Sequence, residues 1–297
     1  MAGADTPQPE VPEYTRRHRM AAAWKQFRRN HNAVIGACIT LTLALLAILA
    51  PQLTRFHPTT FFDLSKTLLP PGSGPHILGT DTIGRDLWSR MLFGARISLT
   101  VGLVVQGISI TIGTAAGLTA GYFGGWIDDF LGGVINMIYA FPSLLFAIAV
   151  MSVLGPGLYN IFLALGFIGW ATVARLVRGE VLSLKTREFV EAARASGTPT
   201  LRVMFRHLLP NCLGPIVVVG TLGVANAIMS EATLSFLGLG VQPPAPSWGS
   251  MLSRGREYIW IAPWLTIIPG VAIFVAVLGL NLFGDGLRDI LDPRLKE

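Results

Sequence analysis

From Phe130 to Ala174 the chain carries no Asp, Glu, Lys or Arg. That run is about twice the roughly 20 apolar residues that a helix needs to cross a bilayer core. Two further stretches, Asn30 to Thr54 and Ile97 to Ile127, are likewise free of those four residues. No water-soluble globule of ordinary design accommodates three such runs. Only 13% of the 297 residues are charged and 52% are hydrophobic, whereas soluble domains carry about a quarter charged residues. So little charge cannot cover a globule of this size with a wetted surface, and lipid must take the place of much of the water.

The runs divide into six spans, and the fold class expected is an all-α membrane protein with six transmembrane helices. The first is expected over Ala33 to Leu53 and the second over Ile97 to Ala120, ended by Gly121 and the Gly124-Gly125 pair. Gly155-Pro156-Gly157 breaks the longest run in a turn, giving Gly133 to Leu154 and Leu158 to Val177. Leu213 to Phe236 and Pro263 to Phe283 complete the set. Around them the sequence predicts a tail at 1–32, an outer segment at 54–96, a core at 97–285 and a second tail at 286–297. The first 14 residues are polar and Pro-rich and read as disordered. A basic amphipathic segment, Thr15 to Asn30, follows. The first apolar run is too long for a signal-peptide core and lacks a small-x-small cleavage site, so it reads as an anchor.

Lys and Arg counts set the orientation. The two tails and the loop between spans four and five share one side under six spans, and they hold 16 of the 23 basic residues. Both termini are therefore expected in the cytoplasm. The net charge of +6 reads as membrane topology rather than nucleic-acid binding, because the basic residues cluster beside apolar runs. Membrane lipid is the expected surrounding, and Trp248, Trp260 and Trp264 are candidates for an interfacial aromatic belt. Within span two, Gly113 and Gly117 lie on one helix face, where small residues let another helix approach closely. Cys38 and Cys212 have neither CxxC spacing nor a His partner and read as small apolar fillers.

The loop at 178–212 is the most informative. Thr186 can cap a helix there, with Glu188 near its positive end. Phe189, Ala192, Ala193 and Ser196 recur at spacings of three and four and share a face. Gly197 is expected to end this helix, Thr198-Pro199 to start another, and Pro210 to close it. A short helix with small residues on one face fits either a socket on a partner or an ordinary surface position.

Glu191-Ala192-Ala193, then Gly197, then Leu209-Pro210 resembles the EAA loop of ABC importer permeases, with matching spacing. His207 stands where the general pattern has Ile, and Arg-His-x-Leu-Pro-Asn is similar to the variant of the peptide branch. Three other blocks resemble the C-type subunit of peptide and nickel importers, a dipeptide-transport permease or its glutathione-transport relative. They are Leu78 to Arg96, Leu234 to Gly249, and Asn281 to Arg294. The resemblance implies a type I ABC importer permease fold. It implies that Glu191 to Gly197 is a coupling helix docking on an ATPase subunit, with Arg187, Phe189, Glu191, Ala192, Ala193, Ser196, Gly197 and Pro210 as coupling residues. It also implies a sister permease as heterodimer partner, two ATPase subunits that hold ATP and Mg, and a periplasmic or lipid-anchored peptide-binding protein. No cofactor is expected in this chain.

The blocks also have local readings. Thr80 or Asp81 can cap a surface helix, and Asp86 can pair with Arg90 four residues on. The region is either a collar for a delivery protein or a lid over the bundle. Asp285, Arg288 and Asp289 either clasp the coupling loop or cap a helix. Glu231 is an ionisable residue inside a span, a functional candidate by position. It suits a peptide amine or a buried hydrogen bond. Asn226 and Asn136 are further candidates for the substrate path, or for bonds between helices.

The chain lacks H-E-x-x-H, G-x-S-x-G and a phosphate-binding G-x-x-x-x-G-K-[ST] loop, so it is not expected to be an enzyme or to hydrolyse ATP itself. An ion-coupled secondary transporter is the alternative of a different class. Such proteins usually carry ionisable groups in the span interiors, and those are scarce here. Glutathione, nickel chelates and opine-like compounds are alternative cargoes.

Overall fold

The computed structural model describes residues 25–291. The expected disordered start, most of the basic segment and the final Asp292-Pro293-Arg294 block lie outside them. Among the described residues every regular element is helical.

Among the described residues five helices are long and apolar enough to cross a membrane, and a bent pair brings the number to six if it counts as one span. Helix α1 is His31–Ile48, α2 is Leu87–Phe123, and the bent pair is α3 (Gly125–Ala140) with α4 (Ser143–Leu154). Helix α5 is Leu158–Leu184, the short helix α6 is Glu188–Ala195, and α7 is Leu209–Phe236. Helix α8 (Trp248–Gly255) and α9 (Trp264–Leu291) end the fold.

The third span differs from the expected straight helix. Its two pieces meet at 92°. Pro142 lies at the break and removes a backbone donor there, while the preceding Phe141 is extended. The second and last spans run longer than expected. At 37 residues, α2 is about 55 Å long, well beyond the bilayer core. Its first turns therefore stand among the outer residues. Helix α9 continues to Leu291, past the predicted tail boundary at 286.

Glycines seat α2 against α5. A Cβ on Gly113 would lie 2.6 Å from the Trp170 carbonyl oxygen, and one on Gly117 2.6 Å from that of Ala174. Gly121 continues the row against Val181. Three bare positions at spacings of four therefore bring the two backbones together, and dispersion between close surfaces holds them where lipid offers no hydrophobic gain. Asp128, at the start of α3, takes a two-pronged bond from Arg178 of α5, with Nη2 to Oδ2 at 2.6 Å. Helix α1 lies along α9, where Gly286 accommodates Ala33.

Outside the spans, residues 54–86 fold over the end of α2. Asp86, not Thr80 or Asp81, caps that helix, accepting from the Ser89 N–H at 2.8 Å and its hydroxyl at 2.7 Å. A carboxylate folded back on its own first turn cannot reach Arg90. Asp86 instead bonds His76 Nδ1 at 3.0 Å, and Arg90 turns to Asp81 at 3.6 Å and the Pro58 carbonyl at 2.9 Å. Asp81 also binds Arg85 at 2.7 Å. Beside them burial, then the Arg85 charge, push the Arg254 guanidinium below its usual pKa, while Asp81 pulls it back up. Trp248 does not join an aromatic belt. It is buried in this collar, its indole donating to the Met91 carbonyl at 3.1 Å, whereas Trp260 is 95% exposed.

Candidate functional site: the short helix after α5 and the open cavity

Two features outside the packed bundle carry chemistry. The first is α6 and the turn after it. Glu188 and Glu191 occupy its first turn and Arg194 its last, signs that suit the helix dipole. Thr186 does not cap it. Its hydroxyl donates to the Ser183 carbonyl at 3.1 Å, and the capping position belongs to Arg187 without a side-chain bond. At the far end, Gly197 has φ +73°. Its N–H reaches the Arg194 carbonyl at 2.9 Å, and the Thr198 N–H reaches that of Ala193 at 3.1 Å. This pair of bonds is a Schellman motif. A Cβ at 197 would meet nothing within 4 Å, so the glycine is needed for its backbone angle and not for space.

One aliphatic side chain anchors α6 in the spans. Val190 is fully buried among Leu118, Val181, Val203 and Leu208, a burial worth about 1.5–3 kcal/mol. Arg194 also stacks over the Tyr122 ring at 4.8 Å. Sequence spacing missed Val190, although it is the largest aliphatic side chain of the helix. The other face is bare. Phe189 is 44% exposed, and Arg187, Glu191, Ala192, Ser196 and Gly197 are exposed too, with Ala193 half-buried.

Pro210 does not close a second helix. The chain is helical from Thr200 to Phe236, and Val203–Leu208 takes the wider π form. The Leu209 N–H reaches back five residues to Met204. That extra residue per turn relieves the clash between the Pro210 ring and the preceding turn. Leu201 and Phe205 stand exposed on this segment, beside the bare face of α6 in sequence.

The second feature is a cavity of about 650 Å³ between α2, α3, α4, α5 and α7. That volume lies within the usual range for small-molecule sites, about 300–1,000 Å³. Its walls include Val105, Gln106, Tyr139, Thr172, Gly223 and Asn226. Of the three residues expected on a substrate path, only Asn226 lines it. Asn136 faces Arg175 instead, accepting from Nη2 at 3.4 Å, and the Arg175 guanidinium lies 3.9 Å over the Tyr139 ring. Glu231 is fully buried behind the wall, where it accepts from Ser235 at 2.6 Å and Ser98 at 3.3 Å. Ser98 also receives the Trp248 N–H at 3.4 Å, so this carboxylate links α7, α2 and the start of α8. Asp289 meets neither the loop at 178–212 nor a helix cap of its own. It accepts from Asn30 at 2.9 Å, joining the end of α9 to the start of α1.

Known proteins place this architecture. Residues 113–297 match the family described as the binding-protein-dependent transport system inner membrane component. Residues 18–71 match the N-terminal TM domain of oligopeptide transport permease C. The dipeptide transport system permease protein DppC of Alkalihalophilus pseudofirmus is 44% identical over 98% of this chain and 96% of its own length. The glutathione transport system permease protein GsiD of Pectobacterium atrosepticum is 42% identical, covering 92% of this chain and 90% of its own. In structure, 68% of the chain matches 96% of a chain from the MetNI methionine ABC transporter in an inward-facing conformation. The TM-score is 0.55 at 19% identity, a likeness of fold.

Proposed function

Because the chain belongs to the binding-protein-dependent transport system inner membrane components, we propose that it is one permease subunit of an ATP-driven importer of short peptides. The observation that carries the reading is α6, an eight-residue helix pinned by Val190 and bare on its opposite face. A helix pinned at one point and open elsewhere is a handle for a partner. The matching relatives are named for dipeptide and glutathione transport, which supports peptide cargo. Glutathione, nickel chelates and opine-like compounds are cargoes of the same architecture.

In this reading both termini and α6 are cytoplasmic, as the basic residues suggest, and the collar at 54–96 faces the periplasm. Two ATPase subunits hold ATP and Mg and grip α6 through Phe189, Glu191, Ala192 and Ala193. Closure of those subunits pushes α6, and Val190 passes the push to α2, α5 and α7 through the cluster it shares with Leu118, Val181 and Cys212. Gly197 sets the exit angle of the lever. A sister permease covers the open side of the cavity, where Tyr139, Phe141, Leu144 and Met229 stand exposed. A periplasmic or lipid-anchored binding protein delivers the cargo.

The test is reconstitution of this chain in proteoliposomes with its sister permease, ATPases and binding protein. Uptake of a labelled dipeptide is expected only with ATP inside and binding protein outside. Uptake by this chain alone, driven by an ion gradient, overturns the proposal.

A further inference from the structure

The cavity lining contains no Asp, Glu, Lys, Arg or His. Its polar groups are hydroxyls and two side-chain amides. Several of the hydroxyls are already engaged. Ser109 donates to the Gly166 carbonyl at 3.2 Å, and Tyr139 and Thr172 bond each other at 2.9 Å. The two amides, Gln106 and Asn226, have no hydrogen-bond partner among the described residues. For Asn226, exposed on α7, this is unremarked. Gln106 is only 7% exposed as a residue, yet its unbonded amide atoms are not sealed from the cavity they line.

The seat of Gln106 is specific. Its amide from α2 lies directly over Gly223 of α7, where a Cβ would overlap both Oε1 and Nε2. Asn226 stands three residues on from Gly223, one turn along the same helix. A bare glycine thus leaves room for one amide within a turn of the other, at the wall of the cavity. Each amide offers a donor and an acceptor, the complement of a peptide group.

We propose that Gln106 and Asn226 form a neutral subsite that hydrogen-bonds the peptide linkage of the cargo as it crosses. The inference rests on the reading of this chain as a peptide permease. Neutral amides suit a path, since a site that conducts must bind strongly enough to admit and weakly enough to release. A fixed charge would hold one end of a zwitterionic peptide. With none in the lining, recognition falls on the backbone that all short peptides share.

The experiment compares a dipeptide with its depsipeptide, in which an ester oxygen replaces the linkage N–H. Both are offered to the full reconstituted transporter. The binding protein is common to wild type and variant, so its own preference cancels in the ratio of ratios. Wild type should favour amide over ester roughly three- to tenfold more than Gln106→Leu does, the span of one hydrogen bond. Asn226→Ala, at an exposed position, should reduce the preference in the same direction and keeps the test open if Gln106→Leu does not assemble. A preference unchanged in the assembled variants overturns the subsite. Gly223→Ala should lower uptake by displacing the Gln106 amide, and adding Gln106→Ala should not restore it. Restoration by the double variant means that the contact is packing only and also overturns the subsite. A wild-type complex that moves no peptide refutes the peptide-permease reading instead, and is distinguished by the absence of any ratio to compare.

Discussion

The collar at one end of the bundle and the α6 loop at the other are both charged and outside the spans, yet they are finished to different degrees. In the collar most of the buried charges satisfy one another. Asp81 holds Arg85 and Arg90, and Asp86 holds His76 and Ser89, all of them buried. In the loop Arg187, Glu188, Glu191, Arg202 and Arg206 are exposed, and one valine makes most of the attachment. A surface that completes its own bonds is built to keep its shape. One that leaves its charged and aromatic side chains bare is built to be completed by something else.

The contrast breaks first at Asp81. Asp81→Ala leaves two buried guanidinium groups without their carboxylate, a loss of about 3–5 kcal/mol. Thermal unfolding in detergent should show a large drop in Tm, and an unchanged Tm means the collar is looser than its geometry. In the loop, Val190→Ala removes two buried methyl groups and should cost less, about 2 kcal/mol. It should detach α6 from the spans, so that the partner ATPases still hydrolyse ATP while uptake falls. Gly197→Val forces a β-branched residue to φ +73°, a strain of about 1–2 kcal/mol. Membrane insertion should survive and uptake should be lost, and normal uptake in that variant removes the lever role.

The smallest effect concerns acid. Bonds from the Ser65 hydroxyl, from Lys66 and from the Ser65 N–H lower the Asp63 pKa from 3.8 to about 2. A depressed carboxylate contributes stability above its unfolded pKa and loses it as pH falls through the folded value. The turn at 63–66 should therefore hold from neutral pH to about 4 and loosen between about 4 and 2. Limited proteolysis across that range reads it, and Asp63→Asn should remove the pH dependence.

Much of this was legible in the residues. Charge-free runs located the crossings, because a bilayer excludes charge whatever the packing. Gly197 was legible because a helix stop with φ above zero has few chemical solutions. Gly113 and Gly117 were visible as a close-approach face, although Gly121 joins them only once α5 is in place. Other features depend on contacts distant in sequence. The 92° bend is the exception, since the Phe141-Pro142 pair at the break is a local signal, whereas the continuity through Pro210 needed a π turn that no local preference announces. Glu231 and Asp86 were visible as polar residues, but each has one partner close in sequence and another, Ser98 or His76, from a different element. Ser98 lies 133 residues from Glu231. Gln106 carried no signal, since its meaning comes from a glycine on another helix.

The most direct test is labelling of a cysteine at Ala192, in a chain whose Cys38 and Cys212 are replaced. A membrane-impermeant thiol reagent should reach it only from the cytoplasmic side, and only when the ATPase subunits are absent. Labelling from outside the cell, or equal labelling with and without the ATPases, contradicts the account.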